Sequence, residues 1–272
     1  MAKSVVVTGG ASGIGLAMSR HFASQGYRVA ILDINSETGP EVAAEIAAEF
    51  PTATVCFKKC NVASWEEQAA VFEDVFHEHG NRIDIVMANA GINEGGPVTI
   101  VDLQEQKPSR PNLRTLDINL TGTIYSVKLA AHYMNRNPDG VSRGSIICTA
   151  SNAGIYPLPM APLYATTKFG VVGLVRSLAR VLEKSNIQIN ALAPAVLETN
   201  ISGPNSKEFF SKMVVTPMST LIRGVADFIA DPSVSGQVAE IHGDKVTIRP
   251  HHEWVDDGSR RNIEMFWTVT NS

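Results

Sequence analysis

Three side chains in the second half of the chain have the types and spacing for acid–base chemistry at a hydroxyl group. The stretch "YATTK" places Tyr164 and Lys168 four residues apart in a strongly helical pattern, so both project from one helix face. Ser151 follows the apolar run "GSIICTA", thirteen residues before the tyrosine. The end of such a strand is where α/β proteins form ligand crevices. Taken alone, a Tyr-x-x-x-Lys pair is more often ordinary helix surface than a reacting centre.

The chemistry of such a trio depends on the acidity of the phenol. A phenol with a pKa of about 10 is a poor base at neutral pH. An ammonium about 4 Å away, at an effective dielectric of about 20, contributes about 4 kcal/mol, which is roughly three pK units. The sequence therefore predicts that Lys168 lowers the pKa of Tyr164 until the phenol exchanges a proton with a hydroxyl near pH 7.

A second candidate site opens the chain, where the run "SVVV" leads into "TGGASGIG". Glycines at a strand-to-helix turn tolerate positive φ and allow a ligand close to the backbone, and the helix N-terminus that follows suits a pyrophosphate. The alternative is a merely tight turn. The predicted phosphate cradle consists of Thr8, Gly9, Ser12, Gly13, Ile14 and Gly15.

Asp33 lies eighteen residues after Gly15, at the end of the run "RVAILD", and it favours a dinucleotide site. A carboxylate at that position accepts hydrogen bonds from a ribose diol and repels a ribose 2′-phosphate. Ala11, Ser12 and Ile34 supply no basic side chain to hold such a phosphate. We therefore expect NAD rather than NADP as the cofactor, bound in part by Asp33 and Ile34.

These candidate residues need a scaffold, and the chain alternates short apolar runs with longer amphipathic stretches. Strands are predicted at Ser4–Thr8, Arg28–Asp33, Thr54–Cys60, Ile83–Ala88, Gly144–Thr149, Gln188–Ala193 and Gln237–His242. Helices are predicted at Ile14–Gln25, Glu37–Phe50, Trp65–His79, Leu116–Asn135, Tyr164–Glu183 and Thr220–Ile229. This rhythm indicates an α/β fold with a doubly wound parallel sheet (a Rossmann fold) of about seven strands and helices on both faces.

No repeat, low-complexity tract or linker divides the 272 residues, so we expect a single domain. Residues 1–242 are assigned to dinucleotide binding and catalysis, with a substrate lid at about 200–218. Residues 243–272 are the least regular part and are assigned to a C-terminal extension of the same domain.

Composition argues against several classes of protein. A net charge of −4 and a pI near 6.0 disfavour a nucleic-acid or acidic-membrane binder. The three cysteines form no disulfide framework and lack metal-site spacing, which indicates a reducing compartment. The first strand begins at once, without a signal peptide, and no apolar run is long enough to span a membrane, so a cytoplasmic protein is expected.

As a set, the glycine turn, Asp33, Ser151, Tyr164 and Lys168 resemble the motifs of the short-chain dehydrogenase/reductase family. The resemblance implies that Ser151 binds the substrate oxygen and that Tyr164 is the acid–base catalyst. It also implies that Lys168 binds the cofactor ribose and lowers the tyrosine pKa. Asn119, in "DINLTG", would kink a helix and anchor a water relay to the lysine.

The same resemblance covers roughly Val5 to Ile241 and implies further cofactor contacts. They come from "CNVAS", where an asparagine replaces the family's usual aspartate, from "ANAG", and from the segment after the sixth strand. The implied cofactor-binding residues are Asn61, Val62, Asn89, Gly91, Tyr164, Lys168, Pro194, Leu197 and Thr199.

Within the family, "APLYATTKFGVVGLVRSLA" is most similar to the NAD-dependent 15-hydroxyprostaglandin dehydrogenase subgroup, which oxidises a secondary alcohol on a lipophilic molecule. Ala161 stands where that subgroup has a glutamine that helps to hold the substrate hydroxyl. A different lipophilic substrate is therefore expected.

Apolar residues near the trio indicate the character of that substrate. A predicted wall consists of Ile155, Tyr156, Leu158 and Met160, and a predicted lid includes Ile201, Phe209, Phe210, Met213, Val214 and Met218. If these residues line the cavity rather than simply pack, a bulky terpenoid, steroid or polyketide is favoured over a sugar.

The leading hypothesis is an NAD-dependent oxidoreductase that interconverts a secondary alcohol and a ketone. A non-redox isomerase or cyclase using the same pocket, and a non-catalytic NAD-binding regulator, are the alternatives. No metal is expected, because His251, His252 and Glu253 lack a further ligand at suitable spacing. The Tyr164 helix is apolar on two sides, which predicts a homodimer or tetramer through that helix.

Overall fold

The computed structural model describes residues 2–94, 100–101, 104–138, 140, 142–197 and 212–269. The strands are β1 Ser4–Thr8, β2 Arg28–Asp33, β3 Thr54–Lys59, β4 Ile85–Ala88, β5 Gly144–Thr149, β6 Ile187–Pro194, β7 Val238–His242 and β8 Lys245–Arg249. The helices are α1 Gly13–Ser24, α2 Thr38–Glu49, α3 Trp65–Glu78, α4 Arg114–Leu116, α5 Gly122–Met134, α6 Pro162–Glu183, α7 Met218–Ala230 and α8 Asp257–Val269. A π-helical segment at Asp117–Thr121 joins α4 to α5, and a 3₁₀ turn lies at Asn152–Gly154.

One sheet of eight strands forms in the described part of the chain, in the order β3-β2-β1-β4-β5-β6-β7-β8. Strands β1 to β7 are parallel, as predicted, and β8 pairs with β7 in the antiparallel sense. The prediction of about seven strands missed β8. Gly243, with a φ of +56°, and Asp244 form a two-residue turn that pairs His242 with Lys245. The sheet therefore continues into the segment predicted to be a C-terminal extension.

Two apolar cores, one on each face of the sheet, hold the helices in place. Val6 of β1 belongs to the core that contains Phe72 of α3, on the face covered by α3, α5 and α6. Its neighbour Val5 belongs to the other core, with Phe22 of α1 and Val225 of α7. Successive side chains of a strand point to opposite faces, so each strand contributes to both cores. The predicted doubly wound fold is confirmed.

Most predicted helices begin and end within two residues of the observed ones. The exception is Leu116–Asn135, which starts at α4 and passes through the π-helical segment before it continues as α5. Helix α8 was not predicted. Among the described residues, no helix is both long enough and apolar enough to cross a membrane.

Candidate active site

The predicted site residues lie at the carboxyl ends of six neighbouring strands. The strand order reverses between β1 and β4, and a ligand crevice forms at such a switch point in open α/β sheets. The glycine turn, Asp33 and Asn61 are at the ends of β1, β2 and β3. On the other side of the switch point, Asn89, Ser151 and Pro194 are at the ends of β4, β5 and β6.

The glycine turn is shaped by positions where a side chain does not fit. Gly9 and Gly13 have φ values of +63° and +50°, in the left-handed region. A Cβ on Gly15 would lie 2.0 Å from the Gly9 carbonyl oxygen, so the first turn of α1 packs directly on the glycine turn. Ser12 precedes α1 without a side-chain cap, Ile14 is half-buried, and no acidic residue lies in the first helical turn. The N–H groups of this turn therefore suit an anion such as a pyrophosphate.

Thr8, predicted to belong to the cradle, instead clamps two strands together. Its hydroxyl donates to the Met87 carbonyl (3.3 Å) and accepts from the N–H groups of Asn89 (2.9 Å) and Ala90 (3.1 Å). The Asn89 amide donates in turn to the Thr8 carbonyl (3.1 Å), and the Thr149 hydroxyl donates to Asn89 Oδ1 (3.0 Å). This network fixes the ends of β1, β4 and β5 relative to one another.

Asp33 ties the end of β2 to the glycine turn. Its Oδ2 atom accepts from the Ala11 N–H and its Oδ1 atom accepts from the Asn35 N–H, both at 3.1 Å. The carboxylate thus lies beside the turn, while Ile34 is 57% exposed. This is the arrangement needed for an acceptor next to a phosphate cradle.

Asn61 and Val62 follow β3 in a loop that α3 holds in place. Asn61 Oδ1 accepts from the Ala63 N–H (3.1 Å), and the Asn61 N–H donates to the Glu67 carboxylate (2.8 Å). Val62 is buried, and its carbonyl accepts from the Gln68 side-chain amide at 2.6 Å. The asparagine side chain therefore closes its own loop.

Ser151, Tyr164 and Lys168 lie together at the carboxyl end of β5. The Ser151 hydroxyl accepts from the Ala153 N–H at 3.1 Å and donates to Asn152 Oδ1 at 3.2 Å, and it lies close enough to the phenol to lower the pKa of Tyr164. Lys168 Nζ lies 5.4 Å from the centre of the Tyr164 ring. The same ammonium donates to the Thr149 carbonyl at 2.8 Å, and Lys168 is only 3% exposed.

Burial dominates the acidity of both ionisable groups. It raises the pKa of Tyr164, which the Ser151 hydrogen bond offsets in part, and it lowers the pKa of Lys168 to about 8. Burial therefore shifts the pKa of Tyr164 in the direction opposite to the predicted one. The ammonium faces the tyrosine ring and hydrogen-bonds to a strand carbonyl, while the phenol is desolvated.

Asn119 lies in the middle of the π-helical segment and pairs with the loop after β4. Its Nδ2 atom donates to the Ile92 carbonyl and its Oδ1 atom accepts from the Ile92 N–H, both at 2.8 Å. Nδ2 also lies 3.4 Å from Thr167 Oγ1 on α6. A Cβ on Gly91 would lie 3.3 Å from Asn119 Oδ1 and 3.6 Å from Lys168 Nζ, so a larger residue would fit only with a small shift of the Asn119 side chain.

The loop after β6 is described only in part. The Pro194 carbonyl lies 3.5 Å from Ser151 Oγ, and Leu197 is buried and forms a parallel bridge with Thr216. Thr199 lies outside the described residues, as do the lid residues Ile201, Phe209 and Phe210. The described lid residues Met213 and Val214 are exposed, and Met218 begins α7.

Only some residues of the predicted apolar wall have apolar surroundings. Ile155 packs against the core, Leu158 is half-buried, and Met160 is 60% exposed. Tyr156 differs from the prediction, because its hydroxyl donates to the Glu240 carboxylate at 3.2 Å. It therefore belongs to a polar contact between this loop and β7.

Sequence reasoning missed three supporting residues. Thr149 holds both Lys168 and Asn89, and Thr167 donates to the Tyr164 carbonyl at 2.7 Å. Glu94 accepts from the Tyr164 N–H at 3.2 Å. The two threonines lie beside residues of the motifs, because Thr149 ends β5 two residues before Ser151 and Thr167 immediately precedes Lys168. The loop around Glu94 carries no local signal.

Comparison with known proteins decides the family. The family model described as short chain dehydrogenase matches residues 3–208. The protein is a short-chain dehydrogenase/reductase. As a member of this family it is an oxidoreductase that acts on CH–OH groups, and the family uses NAD or NADP.

Relatives of this short-chain dehydrogenase/reductase cover nearly its whole length. The short-chain dehydrogenase/reductase prx7 of Penicillium rubens is 32% identical, over 92% of this chain and 95% of its own. The 15-hydroxyprostaglandin dehydrogenase [NAD(+)] of Mus musculus is 29% identical, over 89% and 91% of the two chains. The crystal structure of levodione reductase matches with a TM-score of 0.75 and 27% identity, over 89% of this chain and 96% of that one.

Proposed function

We propose that the protein is an NAD-dependent oxidoreductase that interconverts a secondary alcohol and a ketone on a bulky lipophilic molecule. The observation that carries this proposal is the placement of Ser151, Tyr164 and Lys168 beside the glycine turn, at the switch point of the sheet. In the proposed roles, Ser151 binds the substrate oxygen, Tyr164 is the acid–base group, and Lys168 and Asn119 support it.

The residues of the crevice fit a dinucleotide. The uncapped first turn of α1 offers N–H groups to the phosphates, and the Asp33 carboxylate lies at the adjoining strand end to accept from a ribose diol. Asn61, Val62, Asn89 and Gly91 complete the proposed contacts on the β3 and β4 side, with Pro194, Leu197 and Thr199 on the β6 side. When bound, NAD supplies the carbon that accepts a hydride from the alcohol.

Asp33 supports NAD over NADP, since a carboxylate repels a 2′-phosphate. The exposed neighbour Ile34 offers no cation to hold one. The printed name of the mouse relative, which specifies NAD(+), is consistent with this preference.

The chain's own groups govern the proton. Because burial raises the pKa of Tyr164, the phenol holds its proton at neutral pH and is ready to donate it to a carbonyl oxygen in the reductive direction. In the oxidative direction the same oxygen, once deprotonated, takes the proton of the substrate hydroxyl. In this proposal the Ser151 hydroxyl, which lies near the phenol, holds the substrate oxygen between the two groups.

Exposed apolar side chains support a lipophilic substrate. Met160 is 60% exposed in the loop between Ser151 and Tyr164. Met213, Val214 and Val215 are 39–62% exposed, and the bridge from Leu197 to Thr216 places them by the β6 end of the crevice. We infer that they form part of the lid at about 200–218.

A substrate screen followed at 340 nm tests the proposal. Purified protein with NAD should oxidise bulky secondary alcohols faster than polyols and should prefer NAD to NADP. Tyr164→Phe should lower kcat by at least about 100-fold, since it removes the acid–base group and keeps the ring. Dinucleotide affinity should change little. Product formation without an absorbance change would instead support an isomerase or cyclase.

A further inference from the structure

Glu94 lies in the loop after β4, three residues beyond Gly91, and contacts the start of the helix that carries Tyr164. One carboxylate oxygen, Oε2, accepts from the Leu163 N–H at 2.8 Å and from the Tyr164 N–H at 3.2 Å. A residue about seventy positions earlier thus binds the main chain of the proposed acid–base residue.

Helix α6 has no cap of its own. Ala161 precedes it and has no side chain that could accept, and the first turn holds no acidic residue. Pro162 opens the helix and has no N–H, so the first N–H groups that need an acceptor are those of Leu163 and Tyr164. Both go to Glu94, whose negative charge also lies at the positive end of the helix dipole.

The second oxygen of the same carboxylate is exceptional. Glu94 Oε1 is buried and accepts no hydrogen bond from the described residues. Leaving a buried carboxylate oxygen unpaired is unfavourable, and a neutral glutamine would make the same two helix contacts through its oxygen at a smaller desolvation cost. Every hydrogen bond that the carboxylate accepts from the described residues therefore goes to the start of α6.

We propose that Glu94 is a positioning residue for Tyr164: its carboxylate fixes the first turn of α6, from which the tyrosine projects. The proposal rests on the proposed function, in which Tyr164 moves the proton. A fixed first turn holds the ring beside Lys168, and errors of about 1 Å in such positioning can cost about 100-fold in rate.

Other ionisable groups lie on the elements that pack against this turn. Lys168 is on the same helix, and Cys148 is on β5. Arg114 on α4 and Asp117 in the π-helical segment are exposed to solvent. A change at Glu94 leaves all four in place, so the difference between variants isolates the contact of Glu94 with α6.

The first test observes the phenol directly and needs no substrate. Tyrosines labelled with ¹³C at Cζ would be followed by NMR, with Tyr164→Phe identifying the Tyr164 signal. Glu94→Ala removes the acceptor from the first turn of α6, so the Tyr164 signal should shift, whereas Glu94→Gln keeps an acceptor and should leave the signal near its wild-type position. The control is Asp256→Asn, because Asp256 caps α8 through the Ser259 N–H (2.6 Å), and it should leave the signal unchanged. An unchanged Tyr164 signal in Glu94→Ala would overturn the positioning role.

The second test separates positioning from simple helix stability. Glu94→Ala should lower kcat at least about 10-fold with little change in KM, and Glu94→Gln should recover most of that loss at neutral pH. Asp256→Ala should lower the melting temperature and leave kcat unchanged. Equal kcat values for Glu94→Ala and Asp256→Ala would overturn the positioning role, and the Gln variant carries the test if the Ala variant does not fold. If the wild type oxidises no alcohol, the proposed function fails, while the NMR signal still decides whether Glu94 positions Tyr164.

Discussion

At the scale of single residues, Lys168 is a charged group held where charge is unfavourable. It is 3% exposed, its ammonium donates to the Thr149 carbonyl, and burial lowers its pKa to about 8. An unfolded lysine titrates near 10.4. Between these two values the unfolded chain binds more protons than the folded one, so this residue makes stability rise with pH.

The variant Lys168→Met tests that linkage. Methionine fills the site without a charge. The free energy of unfolding of the variant, relative to that of the wild type, should therefore be greatest below pH 8. That advantage should shrink by about 3 kcal/mol as the pH rises to 10.5. Urea unfolding of both proteins at pH 7, 8.5 and 10 measures it, and groups that do not interact with Lys168 cancel. A constant difference across that range would contradict a depressed lysine pKa.

Residue types and spacing were enough to predict which side chains meet, but not their protonation. The i to i+4 spacing of Tyr164 and Lys168 and the strand end before Ser151 are local signals. The sign of the tyrosine shift depends on burial and on which part of the ring faces the ammonium. The contact of Glu94 with α6 joins residues about seventy positions apart, and no local pattern encodes it.

At the scale of elements, one glycine in the glycine turn and one glycine in α6 differ in whether a side chain fits. A Cβ on Gly15 would overlap the Gly9 carbonyl, whereas a Cβ on Gly173, exposed on α6, would meet nothing within 4 Å. Glycine inside a helix costs about 0.5–1 kcal/mol relative to alanine. The two positions therefore form a matched pair for substitution.

Gly173→Ala should raise the free energy of unfolding by about 0.5–1 kcal/mol and leave dinucleotide affinity unchanged. Gly15→Ala should abolish dinucleotide binding, because the first turn of α1 must move away from the glycine turn. Chemical unfolding and calorimetric titration with NAD measure the two effects. Equal NAD affinity in both variants would contradict the role given to the turn.

Periodicity predicted most elements, because long apolar stripes and buried β-branched runs dominate the doubly wound core. Periodicity did not predict where the backbone hydrogen-bond pattern changes within one apolar helix stripe. The π-helical segment Asp117–Thr121 keeps an apolar stripe, and its altered pattern follows from the contact between Asn119 and Ile92. Strand β8 failed for another reason, since only one of its faces is covered and its run is five residues long.

At the scale of the whole molecule, the C-terminal segment covers part of the face of α6 that was predicted to meet another subunit. Arg176 donates to the carbonyls of Arg249 (3.3 Å) and Pro250 (3.0 Å). Arg180 stacks over the ring of Trp267 on α8, 3.6 Å from its centre. The exposed remainder of that stripe is centred on Phe169, which is 46% exposed.

We expect a homodimer in which Phe169 lies at the interface. Phe169→Asp should convert a particle of about twice 29.3 kDa into a monomer at micromolar concentration, as measured by light scattering after gel filtration. The control is Val255→Asp, which changes a residue that is 92% exposed and is not part of α6. A wild-type monomer, or a dimer that survives Phe169→Asp, would contradict this interface.

The contacts of Asn119 also depend on the number of residues in the π-helical segment. Each such turn holds one residue more than an α-helical turn. Removing one residue from Asp117–Thr121 would leave a continuous α-helix whose flanking turns stay in register, but the widened turn that presents Asn119 would be lost. The deletion is therefore expected to keep α5 in place and to uncouple Asn119 from Ile92 in the loop after β4.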